Sequence, residues 1–218
     1  YFGGNGAIVK GLDLLIEAFS TNPGLELYIC SPYEQEIFDI YGEIFENNNN
    51  IHWVGFVHVN SESFNRLASI CSFVVLPSCS EGIATSVAAC MRKGLIPIVT
   101  PESGIDVEDF GFSIVSTYVN DIEDIIQTAS LLNKNEIFSR SSATVLGSLK
   151  YTQASFTLSI VSAFSRANLR ALHDHHPLDR RGRREAIHDL AQIRRPGGAP
   201  RPRFRRRFSR QASVLISP

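Results

Sequence analysis

No apolar run in the chain approaches the roughly 20 residues that a membrane-crossing helix needs, so the sequence predicts no such span. Cysteines are few and single: Cys30, Cys71, Cys79 and Cys90 fall on or beside apolar stretches without any paired spacing. That pattern argues against a disulfide frame and against a zinc site, and for buried thiols in a reducing compartment. The opening Tyr1-Phe2 with its glycines lacks the charged start and apolar run of a signal peptide. It also lacks an initiator methionine, so the chain reads as a fragment. Basic side chains are scarce in residues 1–165, which hold 7 Lys plus Arg against 18 Asp plus Glu, a net of about −11. Residues 166–218 contain no lysine at all, but 14 arginines against 4 acids, a net of about +10. The formal total of −1 is therefore a cancellation of two unlike segments, and no argument about the protein's field can use it.

What the sequence does contain is centred on residues 73–100, FVVLPSCSEGIATSVAACMRKGLIPIVT. Two short apolar runs rich in β-branched residues, Phe73 to Leu76 and Ile96 to Thr100, read as buried parallel strands, and the stretch between them as a crossover helix. The loop leaving the carboxyl end of a strand and entering a helix is where open α/β sheets bind ligands, because backbone N–H groups there have no partner inside the helix. Here that loop is Pro77 to Gly82, and it carries one carboxylate, Glu81. The helix begins with small and hydroxylated residues, Ala84, Thr85, Ser86, Ala88 and Ala89. It closes with Arg92 and Lys93, favoured there by the dipole, and with Gly94 for a left-handed cap.

The rest of the chain alternates in the same way. Tyr1-Phe2 reads as the end of a strand, followed by a loop with Gly3, Gly4 and Gly6. Lys10-Gly11 opens a helix in which Leu12, Leu15, Ile16 and Phe19 recur at helical spacing, and Asn22-Pro23-Gly24 stops it. Leu25 to Ser31 is a strand. A helix with Ile37, Ile40, Tyr41 and Ile44 on one face follows, then a strand at Ile51 to Val54, a turn at Gly55-Phe56-Val57, and a helix at Ser61 to Ile70. Beyond the central unit come a last strand, Phe112 to Val115, and three helices. The first of these carries Ile122, Ile125 and Ile126, the second covers about 135–149, and the third starts near Thr152 with Phe156, Ile160 and Ala163 inward. Six strands interleaved with helices predict a doubly wound, Rossmann-like parallel sheet over residues 1–165. The Arg- and Pro-rich residues 166–218 are expected to be a disordered or irregular tail.

Phosphate binding is the candidate chemistry. A cation at a helix N-terminus opposes the dipole, so Lys10 behind a glycine-rich loop is either a solvated surface lysine or a sign that an anion sits between them. The glycines themselves do not have the Gly-x-Gly-x-x-Gly spacing of a dinucleotide fingerprint. Glu81 fits an ordinary helix-capping carboxylate, and equally an acceptor for ligand hydroxyls while the N–H groups of Gly82 to Thr85 take a phosphate. His52 and His58 read as surface or packing residues, and the cluster at His173 to His176 has no ordered cage around it for a metal.

The ordered motifs KGLDLLIEAF, NIHWVGFV, LPSCSEG with its alanine-rich helix, and GLIPIVT resemble the carboxy-terminal half of a family 4 (group 1) glycosyltransferase of GT-B architecture, over about residues 1–165. Such enzymes pair two Rossmann-like domains, and the second holds a nucleotide-sugar donor. The resemblance implies a retaining hexosyltransferase that needs no metal or other cofactor, with basic side chains and N–H groups stabilising the leaving diphosphate. Lys10 then matches the lysine that contacts the diphosphate. Glu81 matches the first carboxylate of a Glu, seven residues, Glu motif and would hold sugar hydroxyls. Gly82, Ile83 and Ala84, with Thr85 after them, match the segment offering N–H groups to the phosphates. Phe56 and Val57 match the turn at the nucleobase, and Gly3 and Gly4 the loop facing the donor.

Two positions depart from the family pattern. The second Glu falls on Ala89, and the basic residue usually found about five positions before the lysine falls at Asn5. Losing a charged hydrogen bond to ribose costs about 1.5 to 3 kcal/mol unless another group takes over, and Glu102 is one candidate substitute.

The resemblance implies as partners a UDP- or GDP-linked sugar, an amino-terminal GT-B domain that this chain lacks, and a saccharide or lipid-linked acceptor. It implies a place in the cytoplasm, or peripherally at the inner face of the membrane, in the assembly of a cell-surface polysaccharide, lipopolysaccharide or glycolipid. The contrasting expectation is a catalytically inactive, transferase-like interaction module. The arginine-rich segment would then bind nucleic acid or anionic surfaces, fold back on the acidic body, or be of separate coding origin.

Overall fold

A computed structural model describes residues 1–107 and 109–175, with residues 166–175 in backbone only. It divides into two units, Tyr1–Val161 and Ser162–Pro218. The strands and the core belong to the first. Helix α1 (Leu12–Ser20) is followed by β1 (Leu27–Ile29), α2 (Gln35–Asn47), β2 (Ile51–Trp53), α3 (Glu62–Ile70) and β3 (Phe73–Leu76). Then come α4 (Thr85–Met91), β4 (Ile96–Val99), β5 (Phe112–Ser113), α5 (Val119–Ser130), α6 (Lys134–Gly147) and α7 (Gln153–His175). All strand pairs are parallel, so the expected alternation of strand and crossover helix holds.

The strands form two ladders, β1–β2 and β3–β4–β5. In the first, Leu27 to Ile29 stand opposite Ile51 to Trp53. In the second, Phe73 to Leu76 stand opposite Ile96 to Val99. The opening residues add one parallel bridge, Phe2 to Cys30. Cys30 turns its N–H and carbonyl to Tyr1 and Gly3, whereas Ile29 gives its carbonyl to Val54, so the first residues pair with the edge of β1 that faces away from β2. Five strands and this bridge therefore stand where six strands were expected. An apolar cavity of about 350 Å³ lies between Tyr1, Leu25 and Leu27 on one side and Phe73, Val75 and Ile98 on the other.

Local chemistry explains the helices. Leu12, Leu15, Ile16 and Phe19 are all buried, as their spacing requires. Ser61 caps α3 by accepting from the Phe64 N–H at 3.1 Å, and Asn133 with Glu136 forms a full capping box on α6. α1 packs against α2 and α5, and α4 and α6 pack against β4. Asn50, buried after α2, donates to the carbonyls of Phe19, Asn22 and Leu25 at 2.9 to 3.2 Å and so joins three stretches of backbone.

Three expectations need correction. Ile40 does not share the inner face of α2: Ile37 is fully buried, but Ile40 is 67% exposed, because only one edge of that helix meets the core. Phe156 and Ile160 do not point inward either. Phe156 is 61% exposed, and α7 presents Leu158, Val161 and Phe164 to solvent as well. Residues 166–175, assigned to the tail by composition, are helical, since nothing between Gln153 and His175 is Gly or Pro. The expectations for residues 176–218, and for His176 in the histidine cluster, lie outside the described residues.

Gly11 is where two segments meet most closely. It precedes α1 in the left-handed region at φ 69°, and a Cβ there would fall 2.4 Å from the Pro77 carbonyl oxygen. Gly11→Ala is expected to destabilise the chain by about 2 kcal/mol or more, combining αL strain with the clash, measured by chemical denaturation. The cysteines give a second prediction. Burial pushes the Cys90 thiol up to about 12 and raises that of Cys30, while Cys79 is exposed. In the native chain at neutral pH, an alkylating reagent is expected to label Cys79 first and to reach Cys30 and Cys90 only on unfolding, as peptide mapping would show.

Candidate functional site

Two loops meet at one point, one following the opening Phe2–Cys30 bridge and the other leaving the carboxyl end of β3. The first runs from Gly3 to Gly11, the second from Pro77 to Ala84. Their contact is made mostly by backbone. The Val9 carbonyl accepts from the Cys79 N–H at 3.0 Å, from the Cys79 Sγ at 3.2 Å and from the Ser78 Oγ at 3.4 Å. With the loops joined in this way, Lys10 Nζ donates to Glu81 Oε1. The two side chains, 71 residues apart in sequence, are only 19% and 20% exposed. The second Glu81 oxygen makes no hydrogen bond among the described residues. Lys10 thus neutralises one edge of the carboxylate and leaves the other to accept from a ligand.

Another strand end, the segment after β1, supports the glycine loop. Glu34 accepts from the Gly6 N–H at 2.8 Å and from the Ala7 N–H at 3.1 and 3.2 Å. Nothing in the sequence reading singled out Glu34, although its place just beyond a strand's carboxyl end was a usable signal. Residues Pro101–Ser103 form a one-turn helix behind the second loop. There the Glu102 carbonyl accepts from the Glu81 N–H and the Ser103 carbonyl from the Ala84 N–H. Gly104, at φ 66°, lets this turn approach the Gly82 carbonyl, which a Cβ would meet at 2.3 Å.

The expected donor residues therefore separate. Lys10 and Glu81 come together, and the N–H groups of Gly82 and Ile83 make no hydrogen bond among the described residues. Ala84 cannot offer its N–H, because Ser103 takes it, and the residue is buried. Gly3 donates its N–H to Cys30, whereas Gly4 is exposed with open space beside it. Phe56 is exposed and meets His58 edge-on at 4.8 Å. Val57, at 8% exposure, packs into the core, so the part of this turn that lines the adjacent cavity lies two and three residues further on, at Val59 and Asn60. Glu102 contributes its carbonyl to the loop, and its side chain does not line the adjacent cavity.

That cavity has a volume of about 1130 Å³, larger than the usual small-molecule pocket. Its lining includes Gly82, Ile83 and Thr85, which follow Glu81 in sequence, together with Asn60, Ala89 and Phe156. Among the described residues no group of three or more His, Cys, Asp or Glu is arranged to hold a metal ion, and no helix is long and apolar enough to cross a membrane.

The sequence profile of the family described as "Glycosyl transferases group 1" matches residues 1–134. No curated protein matches the chain. Among solved structures, the catalytic domain of cholesterol-α-glucosyltransferase from Helicobacter pylori is 17% identical at a TM-score of 0.57, over 70% of this chain and 96% of that one. Anabaena HepE, solved with UDP and glucose, is 16% identical at a TM-score of 0.60, over 76% of this chain and 47% of that one. WaaG, a glycosyltransferase involved in lipopolysaccharide biosynthesis, is 16% identical at a TM-score of 0.57, over 74% of this chain and 44% of that one. Apart from the Helicobacter domain, the chain thus spans less than half of these relatives. At such identities the structures show a shared fold, one Rossmann-like half of the GT-B architecture. The profile match covers more than half of the sequence and carries the assignment: the chain belongs to the group 1 glycosyltransferases.

Proposed function

We propose that the chain is the donor-binding half of a retaining, metal-independent glycosyltransferase that moves a sugar from a UDP- or GDP-linked donor to a saccharide or lipid-linked acceptor. The observation that carries this reading is the Lys10–Glu81 pair, followed in sequence by Gly82 and Ile83, which line the large cavity and whose N–H groups make no hydrogen bond among the described residues. As the bond between the sugar and the diphosphate breaks, negative charge grows on the leaving phosphate oxygen. A lysine and fixed N–H donors aimed at that place stabilise it more in the transition state than before. Glu81, anchored by Lys10 through one oxygen, keeps the other for donor-sugar hydroxyls and orients the reacting carbon. The amino-terminal GT-B domain that would complete the active site supplies the acceptor side in this reading. The proposed setting is the assembly of a cell-surface polysaccharide, lipopolysaccharide or glycolipid at the inner face of the membrane.

Ala89 lines the cavity and has no acceptor for ribose hydroxyls. Asn60 and Gln153 line the same cavity and have side-chain carbonyls that can take that place. The missing carboxylate also favours the second reading, an inactive transferase-like module that acts through its surfaces.

Calorimetric titration of the full chain with UDP, GDP, ADP and their sugar conjugates separates the two. Selective binding of one nucleotide, weakened about tenfold or more by Lys10→Ala, is expected for a donor site. Absence of binding by a folded chain selects the inactive module. Glu81→Gln is expected to lower affinity for the sugar conjugate more than for the bare nucleotide. An equal loss for both would place Glu81 at the diphosphate instead of at the sugar.

A further inference from the structure

The acidic unit is locally reversed in one place. Residues 1–165 contain seven cationic side chains in all, and three of them, Arg92, Lys93 and Lys150, line the large cavity. No Asp or Glu is among its described lining residues. The other cations are accounted for differently. Lys10 holds Glu81, and Arg140 donates to the carbonyls of Asp109 and Phe110 while lying 5.0 Å over the Phe112 ring. Arg66 and Lys134 lie elsewhere, on α3 and α6.

Helix electrostatics explain part of this cluster but not all of it. Arg92 caps the carboxyl end of α4 and Lys93 follows it, so the dipole favours both. Lys150 comes from the turn at Ser148–Tyr151, a separate element, where it pairs with Asp106 at 3.1 Å. The side chains of Arg92 and Lys93 make no hydrogen bond or ion pair among the described residues, although both residues donate their backbone N–H to carbonyls of α4. Side chains on a helix lean toward its N-terminus, so Arg92 lies over the surface of Ala88 and Ala89, four and three residues before it. Those alanines leave room beneath the guanidinium. A concave wall with cations from two elements and no acid focuses a positive field inside a body of net negative charge.

We propose that this wall binds a phosphate ester of the substrate, a second anion distinct from the diphosphate at Lys10, with Arg92 as its main ligand. The inference rests on the donor-site reading for the position of the diphosphate, but the cation wall exists without it. Guanidinium supplies the bidentate contact that phosphate oxygens accept, and the lysines supply point charges. The phosphate has two possible sources, the ribose of the donor or a phosphorylated acceptor sugar.

The test uses the full chain, so that the arginine-rich segment contributes equally to every comparison. Binding of ADP is compared with that of its 3′-phosphorylated form, and binding of glucose with that of glucose 6-phosphate, each with and without UDP, in the wild-type chain and in Arg92→Ala, Lys93→Ala and Arg92→Lys. The expected result is that one phosphorylated probe binds about tenfold or more tightly than its unphosphorylated counterpart. Arg92→Ala brings that ratio close to one, and Arg92→Lys restores part of it. The pair that shows the ratio identifies the source. A ratio unchanged in Arg92→Ala and Lys93→Ala, or no preference for either phosphorylated probe, overturns the proposal. If glucose 6-phosphate binds through Arg92 while no nucleotide binds at all, the donor-site reading falls and the cation wall stands.

Discussion

The contact between the loop before α1 and the loop after β3 decides what this protein can do. The Val9 carbonyl collects three donors from Ser78 and Cys79, and Gly11 lets the two backbones approach where no side chain would fit. Without that approach Lys10 would be a solvated lysine at a helix start and Glu81 an ordinary carboxylate before α4. With it they form one shielded ion pair. Breaking such a pair by removing one partner leaves an uncompensated charge, so the pair fixes the geometry of both loops as well as their chemistry. Glu34 and the turn at Pro101–Ser103 brace the two loops, so the site rests on three strand ends and the opening bridge.

How much of this was legible in the sequence depends on the range of the interaction. Periodicity placed α1 and four of its five buried apolar residues because the pattern repeats within two turns of one helix. The candidate pair was legible from general chemistry, since Lys10 opposes a helix dipole and Glu81 sits on a strand-to-helix loop, but their direct bond was not, because it spans 71 residues. Glu34 was missed for the same reason: its partners, Gly6 and Ala7, are N–H groups 28 and 27 residues away. Ile40 and Val57 show the opposite error. An apolar residue at helical spacing was read as buried, and a turn residue as accessible, where only the width of the packed face decides.

α7 illustrates how composition misleads. The charge balance changes at residue 166, and the helix passes through that point to His175 unbroken. Net charge governs solubility and long-range attraction, whereas continuation of a helix depends on the absence of Gly and Pro and on rotamer entropy. The two boundaries need not coincide. Within the described residues the helix runs ten residues past the change in charge, and the apolar side chains of α7 up to Phe164 stay exposed within a segment that composition assigns to the globular body.

Charge placement, more than net charge, separates this unit from a neutral scaffold. A body with about eleven surplus negative charges would repel a nucleotide sugar at long range, and the Debye length of roughly 8 Å at physiological ionic strength limits that repulsion to the immediate surface. Inside the cavity the balance is opposite, because its described lining residues include Arg92, Lys93 and Lys150 and no carboxylate. A phosphorylated ligand therefore meets a weak screened barrier outside and a positive wall within. Under the proposed reading, anions are favoured at the concave surface over the rest of the unit. Selectivity of this kind needs few cations, provided that they are gathered in one place, and the scarcity of basic residues in the first 165 positions is what makes their gathering informative.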